Sequence, residues 1–185
     1  MPTPDLHRLD APGRPVGLVL MLHGGQANSH APVDDRSASW RRSRFMQRQI
    51  AGRLHAHGVG LWLLRYSHRG WNAASGLHPS PVPDARWALD RVRREVGELP
   101  VVLLGHSMGG AAAFEACRLD EGCAAAVDLD GTLYATEMST GNTEEPPFLT
   151  ANSGRVVHAG WLGIYGNCVI LDHGMGLQSL YAHLS

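Results

Sequence analysis

The sequence predicts an α/β fold in which a parallel β-sheet is flanked by helices. Three observations lead to this prediction. Four continuous apolar runs suit strands buried on both faces, amphipathic stretches with helical spacing lie between them, and glycine-rich turns join strands to helices. The chain has 185 residues, of which 44% are hydrophobic and 18% charged. This length and composition suit a domain with a sizeable core and exclude long disordered tracts.

Strands and helices alternate through the first part of the chain. Strands are predicted at residues 16–22, 59–64, 101–104 and 123–129, and helices at residues 39–57, at residues 84–96 and in the alanine-rich stretch that ends near residue 119. Gly58 and Gly97 end the first two helices. In the first helix we expect Phe45, Ile50 and Leu54 to lie on the core side and the arginines on the solvent side.

The pattern changes near residue 150, which predicts an α/β domain over residues 1–150 and a β-hairpin segment over residues 151–185. Residues 131–147 are loop-like, and residues 147–150 suit a short fifth strand. Strands separated by glycine-rich turns are predicted at residues 155–161, 168–172 and 177–184. This spacing is typical of a short antiparallel meander.

The start of the chain, the length of its apolar runs and its cysteines predict a cytoplasmic protein. The start of the chain, Met1-Pro2-Thr3-Pro4-Asp5, has neither the basic region nor the apolar region of a secretory signal. No apolar run reaches the roughly 18 residues that a membrane span needs. The cysteines are odd in number and lack metal-ligand spacing, so we expect them to be reduced; they are Cys117, Cys123 and Cys168.

Charge is unevenly distributed along the chain. Residues 1–94 hold 14 arginines against six aspartates, a net charge of +8, whereas residues 95–185 hold two arginines against 11 acidic residues, a net charge of −9. Such asymmetry can indicate a nucleic-acid interface. Because most of these arginines fall on two predicted helices that already have a core face, we interpret them as solvated helix surface and expect no nucleic-acid partner.

The strongest chemical motif is Gly105-His106-Ser107-Met108-Gly109, which follows a buried strand and precedes a helix. This G-x-S-x-G arrangement is the nucleophile elbow, a tight strand-to-helix turn that exposes a serine hydroxyl. A side chain at Gly105 or Gly109 would clash with the turn. The Met108 N–H and the helix N-terminus would stabilise an oxyanion, and a second donor is expected from the Gly25 N–H, in the loop after the first strand.

These residues resemble the α/β-hydrolase family over residues 14–150. The segment from Val127 to Tyr134 is similar to the platelet-activating-factor acetylhydrolase and polyester-hydrolase-like branch. The resemblance implies that Asp130 orients the catalytic histidine; Asp128, two residues earlier on the same strand face, is the alternative. It also implies a small-molecule ester or acyl substrate, with no cofactor and no metal. The identity of the substrate and the oligomeric state stay open.

The resemblance implies that the base of the proposed triad follows Asp130, where His158, His173 and His183 are the candidates. His173 fits best because it comes at the end of an apolar strand. Residues 153–185, however, resemble the core of lysostaphin-type zinc metallopeptidases, on which His183 would be an active-site histidine. That resemblance is incomplete, because no metal-ligand set accompanies it. The main hypothesis is a serine hydrolase using Ser107, His173 and Asp130; the alternatives are an incomplete zinc peptidase and an inactive chimera.

Overall fold

The computed structural model describes residues 2–73, 77–129, 155–163, 167–172 and 178–184. Within these ranges it contains eight strands and three helices. The strands are β1 (Asp5–Leu9), β2 (Gly17–Leu22), β3 (Val59–Arg65), β4 (Val101–His106), β5 (Cys123–Leu129), β6 (Arg155–Trp161), β7 (Asn167–Asp172) and β8 (Gln178–Leu184). The helices are α1 (Ala38–His55), α2 (Pro81–Val96) and α3 (Met108–Arg118).

The first five strands form one sheet in the order β1-β3-β2-β4-β5. Strands β2, β3, β4 and β5 run parallel, and β1 adds an antiparallel edge against β3. The predicted α/β class is therefore confirmed. Strand β1 is absent from the sequence prediction, because a five-residue edge strand is specified by its partner β3 more than by its own pattern.

The strand order creates a crevice at one edge of the sheet. The chain passes from β2 through α1 to β3 on one side, and then through α2 to β4 on the other side of β2. At such a reversal, the loops that leave the carboxyl ends of β2 and β4 diverge, and α/β proteins bind ligands between them. Right-handed crossovers place α1 on one face of the sheet and α2 on the other.

The core is formed by the central strands and the apolar faces of the helices. Leu20, Leu61 and Leu103 on β2, β3 and β4 are fully buried. On α2 the buried apolar side chains after Pro81 recur at helical spacing; they are Val82, Ala85, Ala88, Leu89 and Val92. Helix α2 begins three residues earlier than predicted, with a proline in its first turn, where the missing N–H costs no hydrogen bond.

The orientation predicted for α1 is wrong for Phe45, which is 64% exposed. Phe45 and Ile50 are five residues apart, about 140° around a helix, so they cannot share one face. The buried positions are Trp40, Ser43, Gln47 and Ala51. Gln47 is favoured in the core because its amide donates to the carbonyls of His7 and Leu61, both at 3.0 Å.

The expectation that all three cysteines are reduced is also wrong. Cys117, near the end of α3, and Cys123, the first residue of β5, form a disulfide with a Cα–Cα distance of 5.2 Å. The short turn between helix and strand reverses the chain and brings the two residues within bonding range. Cys168 is a free, buried cysteine. The cytoplasmic location stays a prediction, without support from reduced cysteines.

The chain forms two compact units, Met1–Tyr134 and Ala135–Ser185. In the second unit, β6, β7 and β8 make an antiparallel sheet in that order, which confirms the predicted meander. The possible strand at residues 147–150 lies outside the described residues, and the region boundary expected near residue 150 stays a prediction. In the part of the chain that is described, none of the helices has the length and apolar character needed to cross a bilayer.

Candidate active site

Ser107 is the single residue between the last residue of β4 and the first residue of α3. Its backbone has φ 55° and ψ −125°, a conformation that costs energy for any residue with a Cβ. The Ser107 N–H donates to the carbonyl of Leu129 on β5 at 3.1 Å, and the Ser107 carbonyl accepts from the Gly110 N–H at 2.8 Å. A sharp strand-to-helix turn of this kind presents the serine hydroxyl at the carboxyl edge of the sheet.

Two glycines allow this turn to form, as predicted. A Cβ on Gly105 would overlap the backbone of Gly109, one turn into the helix. A Cβ on Gly109 would overlap the carbonyl of Leu22 and come within 2.7 Å of the His23 carbonyl oxygen. The start of α3 is therefore packed directly against both β4 and the end of β2.

The loop after β2 lies against the elbow. A Cβ on Gly24 would come 3.4 Å from the Ser107 Cβ, and one on Gly25 would overlap the Met108 side chain and the Arg69 carbonyl. The fold thus brings together Gly25, Ser107 and Met108, which the sequence assigned to one site. Among the described residues, no acceptor is bonded to the backbone N–H of Gly25 or of Met108.

His23, at the end of β2, is fully buried and makes hydrogen bonds through both ring nitrogens. The backbone N–H of Tyr66 donates to Nε2 at 3.4 Å, so the ring is the neutral tautomer whose Nδ1–H donates to the Gly24 carbonyl at 2.6 Å. Burial lowers the pKa of His23 to about 4, partly offset by the bond to Gly24. The rings of Trp40 and Tyr66 meet the imidazole edge-on.

The loop after β3 is hydrogen-bonded to the loop after β2. Gln26 and Gly70 form a parallel bridge, in which the Gln26 N–H donates to the Arg69 carbonyl at 2.8 Å. The Asn72 side chain accepts from the Ser29 N–H at 2.7 Å and donates to the Ser29 carbonyl at 2.9 Å. Asn72 adopts φ 51°, a conformation that asparagine tolerates better than most residues. Sequence reasoning did not identify this residue.

A buried carboxylate fixes the start of the same loop. Asp84 on α2 accepts from the N–H of Ser67 at 2.8 Å and from its hydroxyl at 2.7 Å, and His68 Nδ1 donates to that hydroxyl at 3.0 Å. Burial raises the pKa of Asp84, and the two bonds from Ser67 lower it. Asp84 was taken only as the start of a predicted helix, because its partner is 17 residues away.

Of the two candidate acids, only Asp128 lies among the described residues. Asp128 lies on β5 opposite Gly105, and its carboxylate lies against Gly110 on α3, where a Cβ would overlap it. Asp128 is therefore level with Gly105, two residues before Ser107, and its carboxylate lies against the backbone of α3. Asp130 and His173 lie outside the described residues, as does the side chain of His183. His158 lies on β6 and is half-buried.

Sequence comparison places this chain in a known family. The sequence profile of the alpha/beta hydrolase family matches residues 19–181, most of the chain. The chain belongs to this family. The match continues through the segment whose sequence resembles zinc metallopeptidases, and none of the comparisons supports that resemblance or the acetylhydrolase branch in particular. Comparison with curated proteins gives no significant match.

Several solved structures of esterases are similar to this α/β hydrolase. They include a cold-adapted esterase from an Arctic intertidal metagenomic library (20% identity, TM-score 0.43), a glucuronoyl esterase from Solibacter usitatus (21%, 0.42) and a ferulic acid esterase from Streptomyces cinnamoneus (22%, 0.41). The matches cover 68%, 66% and 65% of this chain, and 59%, 42% and 38% of those chains. The chain therefore spans less than two thirds of the length of each.

Proposed function

We propose that this α/β hydrolase is a serine hydrolase that cleaves a carboxylic ester or a related acyl bond in a small molecule. The observation that carries the proposal is the contact between the Gly24–Gly25 loop and the elbow at Ser107 and Met108. A strained serine at a helix N-terminus, beside backbone N–H groups that bond to no acceptor among the described residues, is an arrangement suited to acyl transfer. Membership of the family supports the same reaction class.

In the proposed mechanism, the Ser107 hydroxyl attacks the substrate carbonyl carbon and gives its proton to His173, which Asp130 orients. The carbonyl oxygen becomes an oxyanion that accepts hydrogen bonds from the Gly25 and Met108 N–H groups. Collapse of the tetrahedral intermediate expels the alcohol, which takes the proton from His173, and leaves an acyl group on Ser107. Water then gives a proton to His173 and attacks the acyl carbon. Collapse of the second tetrahedral intermediate releases the acid, and the Ser107 oxygen takes the proton back from His173.

His23 would act in this mechanism as a positioning residue. The Gly24 carbonyl and the Gly25 N–H belong to one planar peptide group and point in opposite directions. By donating to the Gly24 oxygen, the His23 ring fixes the plane of that peptide and so the direction of the Gly25 N–H. The hydrogen bond also polarises the peptide, which makes the N–H a better donor.

The proposal is tested by reaction with a fluorophosphonate, in which a nucleophilic serine attacks the phosphorus atom and displaces fluoride. Intact-mass analysis is expected to find one adduct on the native protein and none on the heat-unfolded protein or on Ser107→Ala. Ser39→Ala is the matched control, because Ser39 lies on α1 and its loss leaves the elbow unchanged. Undiminished labelling of Ser107→Ala, or no labelling of folded wild-type protein, would refute the proposal.

The remaining triad assignments need separate variants. His173→Ala is expected to slow labelling by a factor of about 10² or more, whereas His158→Ala and His183→Ala are expected to label at the wild-type rate. Asp130→Asn is compared with Asp128→Asn in the same way. If His158→Ala or His183→Ala alone stopped the reaction, the base would be reassigned while Ser107 kept its role.

A further inference from the structure

The exposed face of α1 carries four arginines around one aromatic side chain. Arg41, Arg42, Arg48 and Arg53 are exposed, and Phe45 is 64% exposed. At 100° per residue, Arg41 and Arg48 lie about 40° and 60° to one side of Phe45, and Arg42 and Arg53 lie about 60° and 80° to the other. We call these five residues the arginine face.

No acidic residue lies on α1, and the described residues around the arginine face do not neutralise it. None of its four guanidinium groups forms an ion pair with another described residue. The carboxylates nearest to the start of the helix have other partners: Asp34 pairs with Arg69 at 2.9 Å, and Asp35 with Arg65 at 3.6 Å. By contrast, Arg91 and Arg93 on α2 pair with Glu95 and Asp120.

Arg44 extends this positive field toward the sheet. It lies over the Trp40 ring, 5.5 Å from the ring centroid, and Arg65, whose charge is paired with Asp5 and Asp35, lies over the same ring at 5.6 Å. Burial, Arg48 and Arg65 lower the pKa of Arg44, and Asp35 raises it. Since like charges at this spacing repel one another, an anionic surface that approached α1 would relieve an existing repulsion.

We propose that the arginine face binds an anionic phospholipid bilayer, with Phe45 inserted among the headgroups. Guanidinium groups bind phosphate in bidentate pairs, and an interfacial helix combines such cations with an aromatic anchor. The central position of Phe45 favours a bilayer over duplex nucleic acid, because an apolar ring gains free energy in the membrane interface and gains none against a row of phosphates.

The position of α1 gives this contact a consequence for the site. Helix α1 begins after the loop that leaves the carboxyl end of β2, so its first turn lies at the same edge of the sheet as Ser107. Arg41 and Arg42 lie one turn further along the helix. A bilayer bound along α1 would run parallel to the helix, and the end of the contact at Arg41 and Arg42 would be the end nearer to the elbow.

The test is co-sedimentation of the full chain with lipid vesicles, which does not depend on catalysis. Vesicles of phosphatidylcholine alone are compared with vesicles that also contain about 30 mol% phosphatidylserine, at low salt and at about 0.5 M salt. Binding is expected only with the anionic vesicles, and salt is expected to weaken it. Arg41→Gln/Arg48→Gln should weaken binding roughly 25-fold, about fivefold for each arginine, and Phe45→Ser should weaken it further.

The matched control is Arg86→Gln/Arg94→Gln, which removes the same charge from exposed positions on α2. This variant should bind as the wild type does. Equal losses in the two double variants, equal binding to neutral vesicles, or no vesicle binding at all would overturn the proposal. Binding to duplex DNA with no binding to vesicles would overturn it too, and would assign the face to nucleic acid. Circular dichroism of each variant verifies that the fold is intact.

Discussion

The His23 ring donates from Nδ1 to the carbonyl of the next residue, Gly24, at 2.6 Å. This bond joins the buried core to the loop that lies against Ser107. The other ring nitrogen of His23, Nε2, accepts from the Tyr66 N–H, so one neutral imidazole connects the ends of β2 and β3. Two predictions follow from this relationship, one for catalysis and one for stability.

Replacing His23 by phenylalanine is expected to lower kcat 10- to 100-fold with little change in KM. An aromatic ring is kept but the donor to Gly24 is lost, so the Gly25 N–H is less well aligned with the oxyanion, which forms after substrate binding. His23→Asn should recover part of the activity, since its amide can donate where Nδ1 does. Tyr66→Phe is the control, because it keeps the ring against His23. A parallel rise in KM with unchanged kcat would contradict the positioning role.

The low pKa of His23 also makes stability depend on pH. The pKa of His23 is about 4 in the folded protein and the ordinary pKa of histidine is 6.5, so the unfolded chain binds more protons between these limits. The contribution is fully present above pH 6.5 and is lost as the pH falls to 4, by about 3 kcal/mol. Urea unfolding at pH 7 and at about pH 4 measures it. The loss should be smaller in His23→Phe, which cannot titrate; an identical loss would show that other groups cause it.

Gly110→Ala is expected to destabilise the protein by about 1 to 3 kcal/mol, because the new Cβ would overlap the Asp128 carboxylate. Gly52→Ala is the matched control: a Cβ there meets nothing within 4 Å, so the variant should be neutral or slightly more stable. In the double variant Gly110→Ala/Asp128→Ala, the loss of stability should be smaller than the sum of the losses in the two single variants. Full additivity would contradict the contact.

The disulfide between Cys117 and Cys123 predicts a defined count of reactive thiols. Alkylation without reductant should modify no cysteine in the folded protein and one, Cys168, after unfolding. With reductant, all three should react. Because the bridge closes a loop of six residues, its loss in Cys117→Ser/Cys123→Ser should cost about 2 kcal/mol. Three reactive thiols in the unfolded, unreduced protein would restore the expectation of reduced cysteines.

Much of the fold could be predicted because its signals are local. The apolar runs of β2 and β3 are buried on both faces, and the run of β4 is buried on one face and half-buried on the other, so each run marks a strand without knowledge of its neighbours. The elbow could be predicted for the same reason, since its glycines and serine lie within five residues. Of the candidate site residues, Ser107, Gly25 and Met108 are described and lie together, whereas Asp130 and His173 stay predictions.

Features that depend on distant partners could not be predicted. The edge strand β1 forms because β3 offers an unpaired edge, and Asp84 is buried because Ser67 satisfies its carboxylate. The bond from His23 to Gly24 is local, but burial by Trp40 and Tyr66 is what makes the ring neutral. None of these relationships leaves a periodic pattern in the sequence.

The sequence by itself determined the order of the helices and of the strands after β1, the elbow and the loop that faces it, because hydrophobic period and turn chemistry act over a few residues. The tertiary structure decided which face of α1 is exposed, which histidine is buried and neutral, and which cysteines pair. These outcomes depend on contacts between segments far apart in the chain, where packing and the satisfaction of buried polar groups outweigh local preference.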